Sequence, residues 1–300
     1  MESLWRKQIE NLSSDLKTEH VMLTYEDTCY DVVVIGAGMA GLLTAYFLKE
    51  QGKRVIILEA DKVASGQTEK TTAKITSQQG LKYSSLITEI GKEKAGLYAK
   101  ANEEAIGEYE KLIKEKGIDC GFERVPAFLY SRKEDDALKK EAEAAALLGI
   151  NSFFTLETQL PFPVAGALCF INQAQFSPLE FAKHIASELK ILENTKVIKV
   201  KSNRVITEDK TFLAKKVVVA THYQIFNVPG FYFLRQHQER SYVLALSGCE
   251  KIKGMYYGID KNGLSLRQAG ELLLLGGGGG RTGENENGGA YDFLEQSARQ

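Results

Sequence analysis

Three glycines and one acid carry the clearest chemistry in this chain: Gly36, Gly38 and Gly41, followed by Glu59. In a G-x-G-x-x-G turn the first glycine permits a tight strand-to-helix reversal. The second lets a pyrophosphate approach the backbone, and the third lets the helix pack close on the strand. Unpaired amides and partial positive charge at the helix start then hold the phosphates. Glu59 lies 23 positions after Gly36, close to the ~20 at which a carboxylate meets a ribose hydroxyl. The pattern points to dinucleotide binding. No Arg stands beside Glu59, which disfavours a 2′-phosphate, and so NADP, against FAD or NAD.

These residues need a particular frame. The apolar run 32–35 reads as a strand buried on both faces, and Leu42, Ala45, Tyr46 and Leu48 fall at helical spacing. Gln51-Gly52-Lys53 makes a turn, and 55–58 forms a second buried strand ending at Glu59. The stretch from Val63 to Lys74 is small and hydroxyl-rich without apolar periodicity. It is either a surface loop or a polar cradle for a cofactor.

Composition narrows the rest. Three hundred residues with 44% hydrophobic content and a net charge of −1 can build a core but offer no field for nucleic acid or an anionic membrane. No apolar run reaches the ~20 residues of a membrane span. Glu2, Arg6, Lys7, Glu10, Asp15 and Lys17 make the N-terminus too charged for a signal-peptide core. Cys29, Cys120, Cys169 and Cys249 are scattered without metal-ligand spacing. Reduced thiols in a cytoplasmic protein are expected, and no metal site.

Along the chain, residues 1–25 suggest an amphipathic helix, with Leu4, Trp5, Ile9 and Leu12 on one face and Trp5 as a packing anchor. Residues 95–116 and 134–148 read as helices with solvated Lys/Glu faces, and 122–130 as a strand between them. Proline-bearing 151–171 reads as short strands and turns. Ser177 with Pro178 and Glu180 makes a helix start. Residues 196–200, 204–207 and 211–214 are short strands, and KVVVA at 216–220 is a fully buried one. The last third alternates like antiparallel strands at 242–246, 255–259, 263–267 and 271–275. Five glycines, 276–280, then break the pattern. They mark a flexible joint or a place where backbone passes close to something flat.

The organisation resembles the FAD-dependent oxidoreductases of the D-amino-acid oxidase and glycine oxidase superfamily. DVVVIGAGMAGLLTAYFL with Glu59, GQTEKTTAK and KVVVATH carry that resemblance. TTAKITSQQGL, NQAQFSPLEF, VVATHY with PGFYF, HQERSYVLAL, GMYYGID and LLLLGGGGGRTG look like a bacterial branch whose flavin domain is followed by a Rieske iron–sulfur domain. The resemblance implies an α/β fold, with a Rossmann-like FAD-binding domain and an interleaved α+β substrate domain built on an antiparallel sheet. It divides the chain into an N-terminal helix (1–25), an FAD domain (26–80 and 172–225), a substrate domain (81–171 and 226–285), and a helix start returning toward the FAD domain (286–300). It also implies residue roles. Gly36, Gly38, Met39, Ala40 and Gly41 hold the pyrophosphate, with Glu59 and Ala60 at the adenosine ribose. Thr71, Thr72 and Ala73 run along the ribityl–isoalloxazine side, and the Val197 backbone lies at the adenine. Ala220, Thr221 and His222 occupy a short motif that usually reads Ala-Thr-Gly. The family's last flavin-contacting strand and helix, and the Rieske ligands, fall outside this sequence, which implies a fragment or truncated product.

Such chemistry asks little acid–base work of the protein, because the cofactor accepts the hydride. A carboxylate substrate calls for an Arg. Candidates are Arg240, Arg267 and Arg281, with Tyr256, Tyr257 and His237 as hydrogen-bonding walls, and Arg267 is preferred for its place on a strand. The function expected is oxidation of a small amine or amino-acid-like substrate, with electrons passing to oxygen or to a carrier such as a Rieske-type partner. A non-catalytic remnant and an NAD-dependent dehydrogenase are the alternatives.

Overall fold

The computed structural model describes residues 3–8, 29–226, 230–283 and 289–300. They form two compact units, one of residues 1–71, 118–120 and 177–237, the other of 72–117, 121–176 and 238–300.

The first unit is built on a six-stranded sheet. Strand β1 (Cys29–Ile35) lies parallel to β2 (Val55–Leu58), joined by helix α2 (Met39–Glu50). Val33 and Val34 are fully buried, as a strand covered on both faces requires. On the far side of β2 lies β9 (Ile191–Leu192), also parallel. On the far side of β1 comes β12 (Thr211–Val219), then β11 (Arg204–Thr207) and β10 (Val197–Lys201). The pieces expected at 211–214 and 216–220 are therefore one strand. Its start pairs antiparallel with β11, and it pairs parallel with β1 from Leu213 onward. The KVVVA stretch is not fully buried: Val219 is 47% exposed. A valine run states compatibility with burial, but burial itself needs a covering layer, and Phe212 and Ala214 supply the core face here.

Helix α6 (Pro178–Ser187) starts where expected, with Pro178 at its first position. The Ser177 hydroxyl makes no capping bond, and the Ser177 N–H donates to the Cys120 carbonyl at 2.7 Å. Helix α1 (Leu4–Gln8) falls within the helix expected over 1–25, and Ile9 and Leu12 lie outside the described residues. Trp5 is buried, its indole N–H donating to the Thr71 carbonyl at 2.8 Å.

The second unit holds a seven-stranded sheet. Its order is β13 (Glu239–Leu246), β16 (Leu272–Arg281), β15 (Ser265–Ala269), β14 (Met255–Gly258), β5 (Ala127–Ser131), β7 (Gly166–Phe170) and β6 (Ser152–Thr155). Every pairing is antiparallel except β14 with β5, which is parallel. Three two-residue strands make a small second sheet in the order β3 (Lys74–Ile75), β8 (Ala174–Gln175), β4 (Glu123–Arg124). The strand expected over 122–130 is thus two, divided at Val125-Pro126, where proline has no N–H for a ladder. Helices α3 (Tyr83–Ile90), α4 (Lys92–Lys116) and α5 (Asp136–Leu147) complete the layer. The start of α3 is held from within: the fully buried Glu141 carboxylate accepts N–H bonds from Lys82, Tyr83 and Ser84 at 2.7, 2.6 and 3.0 Å.

The glycine run does not break the pattern. Strand β16 continues through Gly276–Gly280 to Arg281, paired with β13, and a register shift lies opposite the Arg240–Tyr242 step. Helix α7 (Gly289–Ala298) packs on this strand. A Cβ at Gly278 (φ +63°) would stand 2.4 Å from the Ala290 carbonyl oxygen, and one at Gly277 would stand 3.3 Å from the Leu294 side chain. The glycines allow a close pass, and the object passed is a helix. Residues 286–300, expected to head back toward the nucleotide domain, contribute α7 to the second unit.

Among the described residues no helix is long and apolar enough to cross a membrane, and no cluster of His, Cys, Asp or Glu has a metal-holding arrangement. None of the four cysteines is in a disulfide among the described residues, and Cys120 and Cys169 are buried. Burial pushes the Cys169 thiol up to about 11.

Candidate functional site

The three motif glycines do different work. Gly36 ends β1 at φ +104°, and a Cβ there would lie 2.6 Å from the Ala220 carbonyl oxygen. Its N–H donates to Leu58 O at 2.9 Å, so the turn is wedged between the ends of β2 and β12. Gly41 lies one turn into α2, where a Cβ would come 2.0 Å from the Gly36 carbonyl oxygen and 3.4 Å from the Val34 side chain. Both are glycines because main chain leaves no alternative. Gly38 is not: its φ of −76° and ψ of 178° suit any residue, and a Cβ would touch only the Thr68 hydroxyl, at 3.4 Å. No packing demand explains that glycine. Its bare Cα keeps space clear in front of the helix start, where no side chain caps α2 at Gly38. Ala40, the second residue of α2, is exposed.

Glu59 stands beside this turn. Its carboxylate accepts the Ala37 N–H at 2.6 Å and the Asp61 N–H at 2.9 Å, while Ala60 faces solvent. The hydroxyl-rich segment folds over the same place. Ala64 N–H donates to Ala37 O at 3.1 Å, and the buried Thr68 hydroxyl accepts the Met39 N–H at 3.0 Å. Thr68 was within reach of sequence reasoning only as one hydroxyl among several, since nothing in its neighbours singles it out. From the third side comes the end of β12. Ala220 N–H donates to Ile35 O at 2.8 Å, the Thr221 hydroxyl donates to Tyr223 O at 2.7 Å, and His222 is exposed with φ +65°. The left-handed backbone at His222 gives the physical reason a glycine suits the third position of that motif. Val197 is buried at the start of β10, its side chain in the core with Tyr30, Ile35 and Leu58. The first unit thus gathers Gly36–Gly41, Glu59 and 220–222 at the C-terminal ends of three parallel-paired strands, where open α/β sheets form their ligand crevices.

Thr72, Ala73 and the proposed substrate residues other than His237 belong to the second unit. Arg267 is 3% exposed. Its guanidinium donates to the carbonyls of Thr72 and Ala73 (2.7 Å for Ala73), of Phe176 at 3.2 Å and of Gln268 at 3.2 Å. Burial pulls its pKa down to about 10, with Glu123 pulling the other way, so it stays charged at neutral pH. Tyr256 is a core residue stacked on Phe128 at 4.8 Å, its hydroxyl donating to Lys253 O at 3.0 Å. Tyr257, next along β14, points the other way and is 47% exposed. Arg240 and Arg281 lie exposed on the paired strands β13 and β16, and His237 is exposed at the end of the first unit. Within the second unit Arg267 and Tyr256 are therefore buried, while Arg240, Arg281 and Tyr257 are exposed. Lys74 escaped the sequence reading. Its amine donates to Tyr256 O and to the Ser265 hydroxyl, and desolvation, with Arg267 adding repulsion, brings its pKa to about 7.

Comparison with known proteins bears on this geometry. The DAO family model, described as FAD dependent oxidoreductase, matches residues 31–300. The chain is 35% identical over 267 residues to a "Putative Rieske 2Fe-2S iron-sulfur protein YhfW" of Bacillus subtilis (strain 168), covering 83% of this chain and 52% of that one. It spans about half the length of the curated relatives it matches. Among solved structures, glycine oxidase from Geobacillus kaustophilus superposes with a TM-score of 0.71 at 20% identity, covering 90% of this chain and 77% of that one. L-proline dehydrogenase from P. horikoshii gives 0.70 at 16% identity, covering 89% and 76%. At those identities the likeness shows the fold. The family's cofactor is FAD, and the residues present fit it: a helix start whose N-cap residue carries no side chain, a glycine without a packing reason, and a carboxylate at the strand end. The chain belongs to the DAO family of FAD-dependent oxidoreductases.

Proposed function

We propose that this chain oxidises a small amine or amino-acid-like substrate and passes the electrons to oxygen or to a carrier. The observation that carries the reading is the side-chain-free Gly38 at the α2 start, in a turn whose Gly36 lies against the end of β12 and whose Ala37 N–H is held by Glu59. Bound FAD supplies the two-electron acceptor for a substrate C–H bond. The chain's residues bind and orient. Gly36, Gly38, Met39, Ala40 and Gly41 form the turn and helix start whose positive dipole meets the pyrophosphate. Glu59 and Ala60 meet the adenosine ribose, and the Val197 backbone meets the adenine. Thr71 lies toward the ribityl side, with Ala220, Thr221 and His222 also at the cofactor.

The substrate class is supported by the amino-acid-acting enzymes among the similar folds, and a Rieske-type electron carrier by the Bacillus relative. Cysteines outside any disulfide, two of them buried, fit a reducing, cytoplasmic setting. The deciding experiment is an absorbance spectrum of the purified chain, then release and identification of any flavin. Anaerobic bleaching by glycine, proline and other amines follows. A yellow protein that releases FAD and bleaches with an amine upholds the reading. A soluble, colourless protein that cannot be reconstituted with FAD refutes it and leaves a non-catalytic remnant.

A further inference from the structure

We propose that helix α1 is a clasp on the dinucleotide turn, with Trp5 and Arg6 as positioning residues that act through residues 68–71, an inference that rests on the cofactor site proposed above at the α2 start. Every group involved belongs to the first unit. At five residues α1 is too short to hold its own shape, since isolated helices under about 12 residues are marginal in water. Its tertiary contacts therefore decide where it lies. Ser3, Trp5 and Arg6 all reach one short piece of chain, the 3-10 turn Thr68–Lys70 and the residue after it. The Ser3 hydroxyl donates to the Glu69 carbonyl, and the Trp5 indole N–H donates to the Thr71 carbonyl at 2.8 Å. The Arg6 guanidinium meets the Glu69 carboxylate with Nε and Nη2, each 2.6 Å from Oε2.

The turn held in this way is the one that meets the α2 start. The Thr68 hydroxyl accepts the Met39 N–H at 3.0 Å and stands 3.4 Å from where a Cβ on Gly38 would be. Its own proton has no acceptor among the described residues, which leaves it for an anion at the helix start. The far end of the same loop is fixed separately. Glu193 accepts the Val63 N–H at 2.7 Å and pairs with Lys62 at 2.9 Å, and the Ala64 N–H donates to Ala37 O at 3.1 Å. The loop is thus pinned at one end by Glu193 and at the other by α1, with Thr68 beside the α1 end. Global stability is a poor reason for the Arg6–Glu69 pair. Its side chains are 42% and 12% exposed, and ion pairs open to water add little to folding. What the pair fixes is the position of Thr68 in front of Met39.

The test compares the full chain with Trp5→Phe, which keeps a buried ring without the donor, Arg6→Gln, which removes the charge, and Thr68→Val, which removes the hydroxyl. The readings are the urea midpoint, amide hydrogen exchange at Met39 and over residues 64–70, and FAD affinity by fluorescence titration. The expected result for Trp5→Phe and Arg6→Gln is a midpoint close to wild type, exchange faster by about tenfold at Met39 and across the turn, and FAD binding weaker by about three- to tenfold. Because the clasp acts through Thr68, adding Arg6→Gln to Thr68→Val should weaken FAD binding no further than Thr68→Val alone. Arg6→Lys, which keeps the charge, should recover part of the affinity. A helix that only packs on the body would move the urea midpoint and leave FAD affinity at its wild-type value, and that result overturns the proposal. Additive losses in the double variant overturn the route through Thr68. A wild-type chain that takes up no FAD overturns the cofactor reading and this role together, whereas wild-type binding by folded variants overturns this role alone. Should the variants unfold, exchange of the wild type decides. FAD must slow exchange over residues 64–70, and unchanged exchange there sinks the idea.

Discussion

Replacing Gly41 and Gly38 by alanine, one at a time, separates packing from ligand binding inside a single motif. At Gly41 the new methyl would fall 2.0 Å from the Gly36 carbonyl oxygen, and contacts under 3.0 Å are essentially never seen for a Cβ. The helix must therefore back off by about 1 Å, because the obstructing atom is main chain and no side-chain rotation relieves it. Leu42, Ala45 and Tyr46, buried on the same helix, move with it. Overpacking of this kind costs about 1–3 kcal/mol, and a backbone clash belongs at the upper end. That is a large share of the ~5–15 kcal/mol that holds a domain together. At Gly38 the methyl makes one ordinary contact and the backbone needs no change. Losing glycine at an N-cap and reducing unfolded-chain entropy offset each other to within about 1 kcal/mol.

The assay is urea denaturation of both variants followed by FAD titration of the folded protein. Gly41→Ala should lose about 3 kcal/mol and with it FAD. Gly38→Ala should keep its denaturation midpoint while FAD affinity falls by about tenfold or more, equivalent to about 1.4 kcal/mol. A Gly38→Ala protein that binds FAD like wild type would refute the claim that this space is kept for the cofactor. A Gly41→Ala protein of unchanged stability would refute the seating of α2 on Gly36.

Three further outcomes are expected. His222→Gly should leave thermal stability level or raise it by up to about 1 kcal/mol, since glycine relieves a left-handed residue at some entropic cost, whereas His222→Val should lose about 1–2 kcal/mol; calorimetry of the pair checks both. Glu141→Ala strands the three N–H groups at the start of α3 and should cost about 3 kcal/mol or more by urea denaturation, with Glu141→Gln losing less because it keeps one acceptor. Lys74 has a native pKa of about 7 against the ordinary 10.5 of a lysine. Between those values the unfolded chain binds a proton that the native chain does not, so stability from this group rises with pH. Below about 7 its penalty is full. The wild-type melting temperature should therefore gain on that of Lys74→Met as pH goes from about 6.5 to 8.5, and a constant difference would refute the desolvated amine.

Much of the first unit was legible because its determinants are local. A buried strand, a turn that only glycine can make and an amphipathic helix start occupy consecutive residues, and Glu59 follows at the end of the next strand. Chain order alone places them together, since a parallel β-α-β unit brings its strand ends to one side. The antiparallel character of the last third was equally open to reading, because side-chain alternation is a property of each strand by itself. What covers a strand is a different kind of fact. Whether the valines of KVVVA are buried, and whether the glycine run is a joint or a close pass, depends on the element packed against them. For the glycines that element is α7, whose Ala290 carbonyl leaves no room for a side chain at Gly278.

The same division runs through the candidate site. Sequence by itself determined the dinucleotide motif and the acid that accompanies it. Only the tertiary structure decided that Gly38 alone lacks a packing reason, that His222 is left-handed, and that Thr68 reaches the α2 start. It also turned Arg267 from a candidate for substrate into a clamp on Thr72 and Ala73, 195 and 194 residues away in sequence. An arginine's type says that it will seek oxygens. Which oxygens it finds is set by the segments that folding brings within reach, and a buried guanidinium takes the carbonyls already there.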